Sequence, residues 1–107
     1  MRITVTARHT QVTDELRARA RELVDRLARV AIRPQSGQVL FGGEHGLATV
    51  EIRLTAARGN TTVARAEAQD LRSALDLAAS RVRRQLDKSP AKRSGPARRR
   101  AAARAER

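Results

Sequence analysis

Arginine side chains are the groups in this chain most able to carry chemistry, because few other reactive residues are present. Of the 107 residues, 23 are Lys or Arg and 11 are Asp or Glu, which gives a formal net charge of +12. Arg81, Arg84 and Lys88 recur at helical spacing and form a row beside an apolar stripe. Such a row can be a solvated face, a set of ion-pair partners or an edge that binds phosphate.

Residues suited to catalysis or metal binding are scarce. The sequence has no cysteine, and its two histidines, His9 and His45, do not match the spacing of a metal site. Asp70 and Asp76 are six residues apart and would not share a helix face. We therefore predict no enzyme activity, no metal, no cofactor and no small-molecule substrate. His9 follows Arg8 at the end of a predicted strand, where it could contact phosphate or simply occupy a turn.

Positive charge is concentrated near the C-terminus. Residues 88–107 hold eight of the 23 Lys and Arg residues but one acid, and proline and glycine interrupt them. This composition is typical of disordered segments that bind polyanions. We predict a globular domain over residues 1–88 and a basic, disordered tail over residues 89–107, in which Lys92 and Arg93 contact RNA.

Two amphipathic helices would hold most of the remaining cations. The second is predicted over residues 70–88, with Asp70 as its N-cap and Pro90 beyond its end. Its apolar stripe consists of Leu71, Leu75, Ala78, Val82 and Leu86.

The first helix is predicted to begin after Thr13, a good N-cap, and to continue to about Ala31. Its apolar stripe consists of Leu16, Ala20, Leu23, Leu27 and Val30. One flank of this stripe is basic and includes Arg19, Arg26 and Arg29.

Alternating apolar and polar residues predict strands over residues 2–8, 48–56 and 61–69. The Gly-rich segment 34–47 is poorly patterned, so we predict only a short strand over residues 39–41 there. Phe41 is the single aromatic residue of the chain, which excludes a sheet that stacks bases on aromatic side chains.

The predicted order β-α-β-β-β-α indicates an α+β fold. A four-stranded mixed sheet with two roughly parallel helices on one face, a dsRBD-like arrangement, would bury both helix stripes. With the helices side by side, their basic flanks could merge into one ridge.

Two blocks of the sequence carry motifs with intact internal spacing. The start, ITVTARHTQVTDELR, follows I-x-x-T-G-R-H-x-x-x-T-x-x-L-R, and the later block, AQDLRSALDLAASRVRRQLDK, follows D-M-Y-x-A-I-D and then K-L-x-x-Q-L-x-K. These motifs resemble those of the bacterial ribosome hibernation promoting factor and ribosome-associated inhibitor family. Ala7 and Arg72 depart from the motifs, which have Gly and Tyr there. The matching positions are Thr6, Arg8, His9, Thr13, Leu16, Arg17, Asp70, Ala74, Leu75, Asp76, Arg81, Val82, Gln85, Leu86 and Lys88.

The resemblance implies a short-form, sigma-54-modulation-protein-like factor with the β-α-β-β-β-α fold. Such a factor binds rRNA in the mRNA and tRNA channel of the small ribosomal subunit and inhibits translation by steric occlusion under stress. It would be cytoplasmic, monomeric away from the ribosome and free of membranes. The predicted RNA-binding residues are Arg8, His9, Arg19, Arg26, Arg29, Arg81, Arg84, Gln85, Lys88, Lys92 and Arg93.

Two other functions are compatible with the same residues. A generic RNA- or DNA-binding protein could act through its helices and tail, and would show little preference for ribosomes. A regulator that docks on an acidic partner protein would keep its partner after nuclease treatment.

Overall fold

A computed structural model describes residues 1–88 of the chain. The predicted tail, with Lys92 and Arg93, lies outside the described residues, and the division into domain and tail stays a prediction. The elements in chain order are β1 (Arg2–Ala7), α1 (Asp14–Ala28), β2 (Pro34–Glu44), β3 (Leu47–Ala56), a 3₁₀ turn (Ala57–Gly59), β4 (Thr61–Ala68) and α2 (Leu71–Lys88).

The four strands form one mixed sheet in the order β1-β2-β3-β4. β1 and β2 are parallel, whereas β2 with β3 and β3 with β4 are antiparallel. β1 and β4 therefore run in the same direction, and each is followed by a helix that returns over the sheet. α1 contacts β1 and β2, α2 contacts β3 and β4, and the helices contact each other. This arrangement confirms the predicted α+β fold.

The core lies between the two helices and one face of the sheet. Small alanine side chains on β4, Ala64 and Ala66, let α2 pack close to that strand. The opposite face of the sheet, here called the open face, carries the alternate and mostly polar side chains. The largest fully buried side chains are Phe41, Ile52, Leu54, Leu75, Leu86, Val24, Val39, Val50 and Val82.

β2 corrects the prediction for the Gly-rich segment, because it is an 11-residue strand rather than a short one. It pairs with β1 on one side and β3 on the other. Glycine is needed there for packing. A Cβ atom on Gly37 would lie 2.5 Å from Cγ1 of Val24 on α1, and one on Gly42 would lie 2.8 Å from Oγ1 of Thr49.

The end of α1 also differs slightly from the prediction. The helix ends at Ala28 rather than near Ala31, with Arg29 as its C-cap. The two residues after Arg29 continue with 3₁₀-type hydrogen bonds, in which the N–H of Val30 donates to the carbonyl of Leu27 and that of Ala31 to the carbonyl of Ala28. Ala31 nevertheless remains fully buried, so the apolar stripe extends beyond the regular helix.

The N-terminus of α2 is capped as predicted. The backbone N–H of Ser73 donates to Oδ1 of Asp70 at 2.7 Å, and the Ser73 hydroxyl donates to Oδ2 at 3.0 Å. These two hydrogen bonds favour the ionised carboxylate and hold the pKa of Asp70 below its usual value of 3.8.

This cap makes a small part of the stability depend on pH. Because the pKa of Asp70 is lowered by folding, its contribution is present above pH 3.8 and is lost as the pH falls through the folded-state pKa. We expect Asp70→Ala to lower the thermal midpoint at about pH 6 and to have much less effect at about pH 2. Thermal unfolding of both proteins at the two pH values measures this. An equal difference at both values would contradict it.

Candidate RNA-binding surfaces

The cations of α2 lie over the outer edge of the sheet. We call Arg81, Arg84 and Lys88 the α2 row. Nη1 of Arg81 donates to the carbonyl of Arg65 at 2.6 Å. Arg84 and Lys88 are exposed and make no hydrogen bond or ion pair within residues 1–88. The row therefore has one member held on β4 and two members free to bind an anion.

Gln85 holds the same edge one helical turn further along. Its Nε2 donates to the carbonyl of Val63 at 2.8 Å. β4 pairs only with β3, so these outer carbonyls would otherwise face solvent. Arg81 and Gln85 thus fix α2 against β4 and occupy the edge of the sheet. Each keeps unused N–H donors, because a guanidinium has five and an amide two.

The other edge of the sheet is covered in the same way. Nη1 of Arg17 donates to the carbonyl of Val5 at 3.3 Å, and Nη1 of Arg21 donates to the carbonyl of Ile3 at 3.2 Å. Both edge strands are therefore held by a pair of side chains at i and i+4 of a helix. The sequence alone does not predict this role for any arginine, because the pairs become recognisable only when the strand order is known.

Removal of the β4 edge contacts should weaken the fold and expose the edge. We expect Arg81→Met with Gln85→Met to lower the free energy of unfolding by about 1–3 kcal/mol, from two lost hydrogen bonds. It should also promote association of copies through the freed strand edge. Urea unfolding and sedimentation velocity measure the two effects. Arg84→Met is the control and should change neither the stability nor the association. If both variants change these quantities equally, Arg81 and Gln85 do not protect the β4 edge.

An ion pair joins the two helices at their exposed side, and their basic flanks do not merge into one ridge. Nε and Nη2 of Arg19 lie 3.0 and 2.9 Å from Oδ1 of Asp76 on α2. Asp76 and Arg81 are five residues apart, about 140° around the helix. α1 therefore meets the side of α2 away from β4, and the α2 row lies over β4. The expected ridge is wrong because Asp76 stands between the two basic flanks.

We expect the Arg19–Asp76 pair to contribute a measurable coupling energy. The two side chains are 32% and 44% exposed, which is less than for the Arg26–Glu22 pair on α1. A double-mutant cycle with Arg19→Met and Asp76→Ala should give about 0.5–1 kcal/mol, and the same cycle on Arg26 and Glu22 less. Urea unfolding at low salt measures both. A larger coupling for the exposed pair would contradict this ranking.

The other predicted residues of α1 also have acidic neighbours. Arg26 lies 3.3 Å from Glu22 and Arg29 lies 3.2 Å from Asp25, both at i and i+4 on the exposed surface. These pairs are weak and could exchange for phosphate. Their part in RNA binding stays a prediction, and the α2 row has the less compensated charge.

Arg8 and His9 lie apart from the helices, at the end of β1. The backbone N–H of Arg8 donates to the carbonyl of Phe41 and extends the β1–β2 pairing by one residue. His9 has a positive φ of 55°, which turns the chain towards α1. Both side chains are exposed, and both line a cavity at the open face together with Arg65 and Glu51. The structure therefore places the predicted residues within the described part of the chain on three separate surfaces, which are the α1 flank, the α2 row with Gln85, and the end of β1.

Within residues 1–88, no group of three or more His, Asp or Glu residues is placed to hold a metal ion. In the same part of the chain, no helix is long and apolar enough to cross a membrane.

Several solved structures share the fold. A ribosomal subunit interface protein from Coxiella burnetii superposes with a TM-score of 0.70 at 22% identity, covering 82% of this chain and 96% of that one. The N-terminal domain of Protein Y from Thermus thermophilus gives a TM-score of 0.70 at 24% identity, covering 82% and 98%. No curated protein matches the sequence.

A family model places the chain more firmly than these distant structures. The model described as Sigma 54 modulation protein / S30EA ribosomal protein matches residues 3–94, which includes both motif blocks and all the elements described above. The chain therefore belongs to the Sigma 54 modulation protein / S30EA ribosomal protein family, a family of ribosome-associated proteins.

Proposed function

We infer that this protein binds rRNA in the mRNA and tRNA channel of the small ribosomal subunit and inhibits translation by steric occlusion. The observation that carries the proposal is the α2 row. Arg84 and Lys88 are exposed without an acidic partner within the described residues, beside Arg81 held at 2.6 Å on β4. Phosphate oxygens are the ligands that such uncompensated cations favour.

The fixed position of α2 on the sheet supports recognition of a folded RNA by the α2 row. Two hydrogen bonds, from Arg81 and Gln85, fix the helix on the sheet, so the backbone that carries the cations does not have to be ordered when RNA binds. Preorganised cations lose less entropy on binding than cations on a flexible segment. A folded domain in the channel would exclude mRNA and tRNA by volume alone.

This function needs no catalytic group, and the family is not a known enzyme family. The ribosome would be the partner, which puts the protein in the cytoplasm, and it would act under stress as a monomer when off the ribosome. These statements rest on family membership and on the α2 row together.

The test is co-sedimentation of the whole chain with purified small subunits in sucrose gradients at rising salt. We expect the protein to move with the subunits at low salt and to dissociate as salt increases, because each phosphate contact releases bound counterions. A translation reaction with the same protein should lose activity in proportion to the bound fraction. Free protein at the top of a low-salt gradient would overturn the proposal.

A generic polyanion binder is the second candidate, and the charge of residues 88–107 favours it. Deletion of residues 89–107 separates the two. If the domain carries recognition, the shortened chain keeps its preference for small subunits over duplex RNA of equal length. If the tail carries it, most of the affinity for both is lost.

A further inference from the structure

A cavity of about 210 Å³ lies on the open face of the sheet, near the β2–β3 hairpin. We call it the sheet pocket. Its walls include Arg8, which directly follows β1, Glu51 of β3 and Arg65 of β4. The side chains of Glu51 and Arg65 point away from the helices, because their strand neighbours Val50, Ala64 and Ala66 are buried in the core. The α2 row therefore takes no part in this pocket.

The pocket exists because of a glycine on a central strand. Gly42 pairs with Thr49 across β2 and β3, and a Cβ on Gly42 would lie 2.8 Å from the Thr49 hydroxyl oxygen. Thr49 is 9% exposed and fills that space. Leu40 adds an apolar wall on the same face. The resulting floor is flat backbone, and its walls are a mixture of apolar and charged groups.

The charged walls consist of planar groups of both signs. Arg65 pairs with Glu44 at 2.6 Å, and Glu51 lies 3.6 Å from Arg53. Arg8 makes no ion pair within the part of the chain that the structure describes. The pocket thus offers the unpaired guanidinium plane of Arg8, the carboxylate of Glu51 and the Arg65–Glu44 ion pair, in which Arg65 keeps further N–H donors.

Nucleobases stack on aromatic rings or on guanidinium planes. The one aromatic residue, Phe41, is 0% exposed and faces the helices, so it cannot serve. Guanidinium stacking is the remaining possibility on this face, and Arg8 is the available group. A carboxylate such as that of Glu51 accepts hydrogen bonds from the amino groups of bases.

We propose that the sheet pocket binds one unpaired RNA nucleotide whose base carries an exocyclic amino group. The base stacks on the Arg8 guanidinium and donates to the Glu51 carboxylate, while its phosphate contacts His9 and Arg65. A base within a duplex cannot enter, because its amino group is already paired. This inference deepens the proposed function and rests on RNA being the ligand.

β4 connects the two surfaces. The Arg65 carbonyl accepts from Arg81 of the α2 row, while the Arg65 side chain lines the sheet pocket. An RNA strand that runs along the α2 row can therefore place a nucleotide around the β4 edge. The domain would then recognise a single-stranded segment beside a phosphate backbone.

The test compares short oligocytidine with oligouridine, which differ at the amino-bearing position of the base. Amide resonances of Gly42 and Gly43 report on the pocket, and those of residues 81–88 report on the α2 row. We expect oligocytidine to shift both sets, and oligouridine to shift the glycine amides with about tenfold weaker affinity. A duplex of equal length should shift only the α2 amides.

Three variants test the roles of the Arg8 guanidinium and the Glu51 carboxylate in nucleotide binding. Arg8→Gln should weaken both oligonucleotides at the pocket, whereas Glu51→Gln should abolish the preference for cytidine because an amide can also donate to uracil. Arg58→Gln, the same loss of charge in the distant β3–β4 turn, should change neither. Equal affinity for both oligonucleotides, or the same effect from Arg58→Gln, would overturn the proposal.

Failure of this inference is distinguishable from failure of the proposed function. If the glycine amides do not move at saturating oligonucleotide while the protein co-sediments with small subunits, the pocket is not a nucleotide site and the ribosomal proposal stands. If the amides move and co-sedimentation fails, the pocket is a nucleotide site and the ribosomal proposal is wrong.

Discussion

Replacement of Arg84 and Lys88 by Glu is expected to reduce the affinity for small ribosomal subunits on the order of a hundredfold at low salt. The physical reason is the reversal of two charges that no acidic group within residues 1–88 compensates. The dependence of affinity on salt should also become shallower, by about one counterion per lost phosphate contact. Co-sedimentation over a salt series measures both quantities.

The fold should survive this change, because neither side chain makes a contact with the described residues that the fold needs. Arg81 is left unchanged because it holds the β4 edge at 2.6 Å. A variant that also replaced it would mix loss of RNA contacts with loss of structure. Circular dichroism and urea unfolding of Arg84→Glu with Lys88→Glu should therefore match the parent protein within about 0.5 kcal/mol.

The matched control is Arg33→Glu with Arg58→Glu. Both arginines are exposed, form no ion pair within the described residues, and lie in the α1–β2 loop and the β3–β4 turn. The change in net charge is the same. If the control loses as much affinity as the α2 variant, general attraction and not the α2 row accounts for binding.

Replacement of Phe41 by Ala is expected to lower the free energy of unfolding by about 3–5 kcal/mol. Phe41 lies on β2, is fully buried, and is the largest of the fully buried side chains within residues 1–88. Its removal leaves a cavity in the core between the sheet and the helices. The whole free energy of unfolding of a domain of this size is about 5–15 kcal/mol, so the variant should unfold at a much lower urea concentration than the parent protein.

Leu77→Ala is the control for the loss of apolar volume. Leu77 lies on α2 but is 37% exposed and does not contribute to the core. Its replacement should cost less than about 1 kcal/mol. A similar decrease in the free energy of unfolding for both variants would mean that Phe41 is not central to packing. A selective loss of ribosome binding in Leu77→Ala would instead assign this leucine to the interface.

The helix that carries the α2 row could be predicted from sequence because its signals are local. Asp70 is an N-cap at the correct spacing, and the apolar stripe repeats at the helical period over four turns. The β3–β4 hairpin is equally local, with alternating residues around a turn that has positive φ at Arg58 and Gly59. The prediction of a four-stranded sheet with both helices on one face followed from these elements.

β2 could not be predicted in full because its residue types are determined by packing against residues that are distant in sequence. Gly37 leaves room for Val24 of α1, and Gly42 leaves room for Thr49 of β3. Glycine weakens local strand propensity, so the segment lacked a strand pattern. Pairing on both sides provides the hydrogen bonds that hold it extended. The sheet pocket is not predictable for the same reason, since its walls come from three strands and from the residues that follow β1.

The sequence by itself determined the number and kind of elements, the basic character of α2 and the motifs of a ribosome-associated family, because periodicity, caps and composition are local properties. Tertiary structure decided what each arginine does. Arg19 pairs with Asp76 and Arg81 donates to β4, whereas Arg84 has no such partner within residues 1–88. These three side chains are chemically identical along the chain. They differ because the carboxylate or carbonyl that each one meets, or lacks, is brought there by another element of the fold.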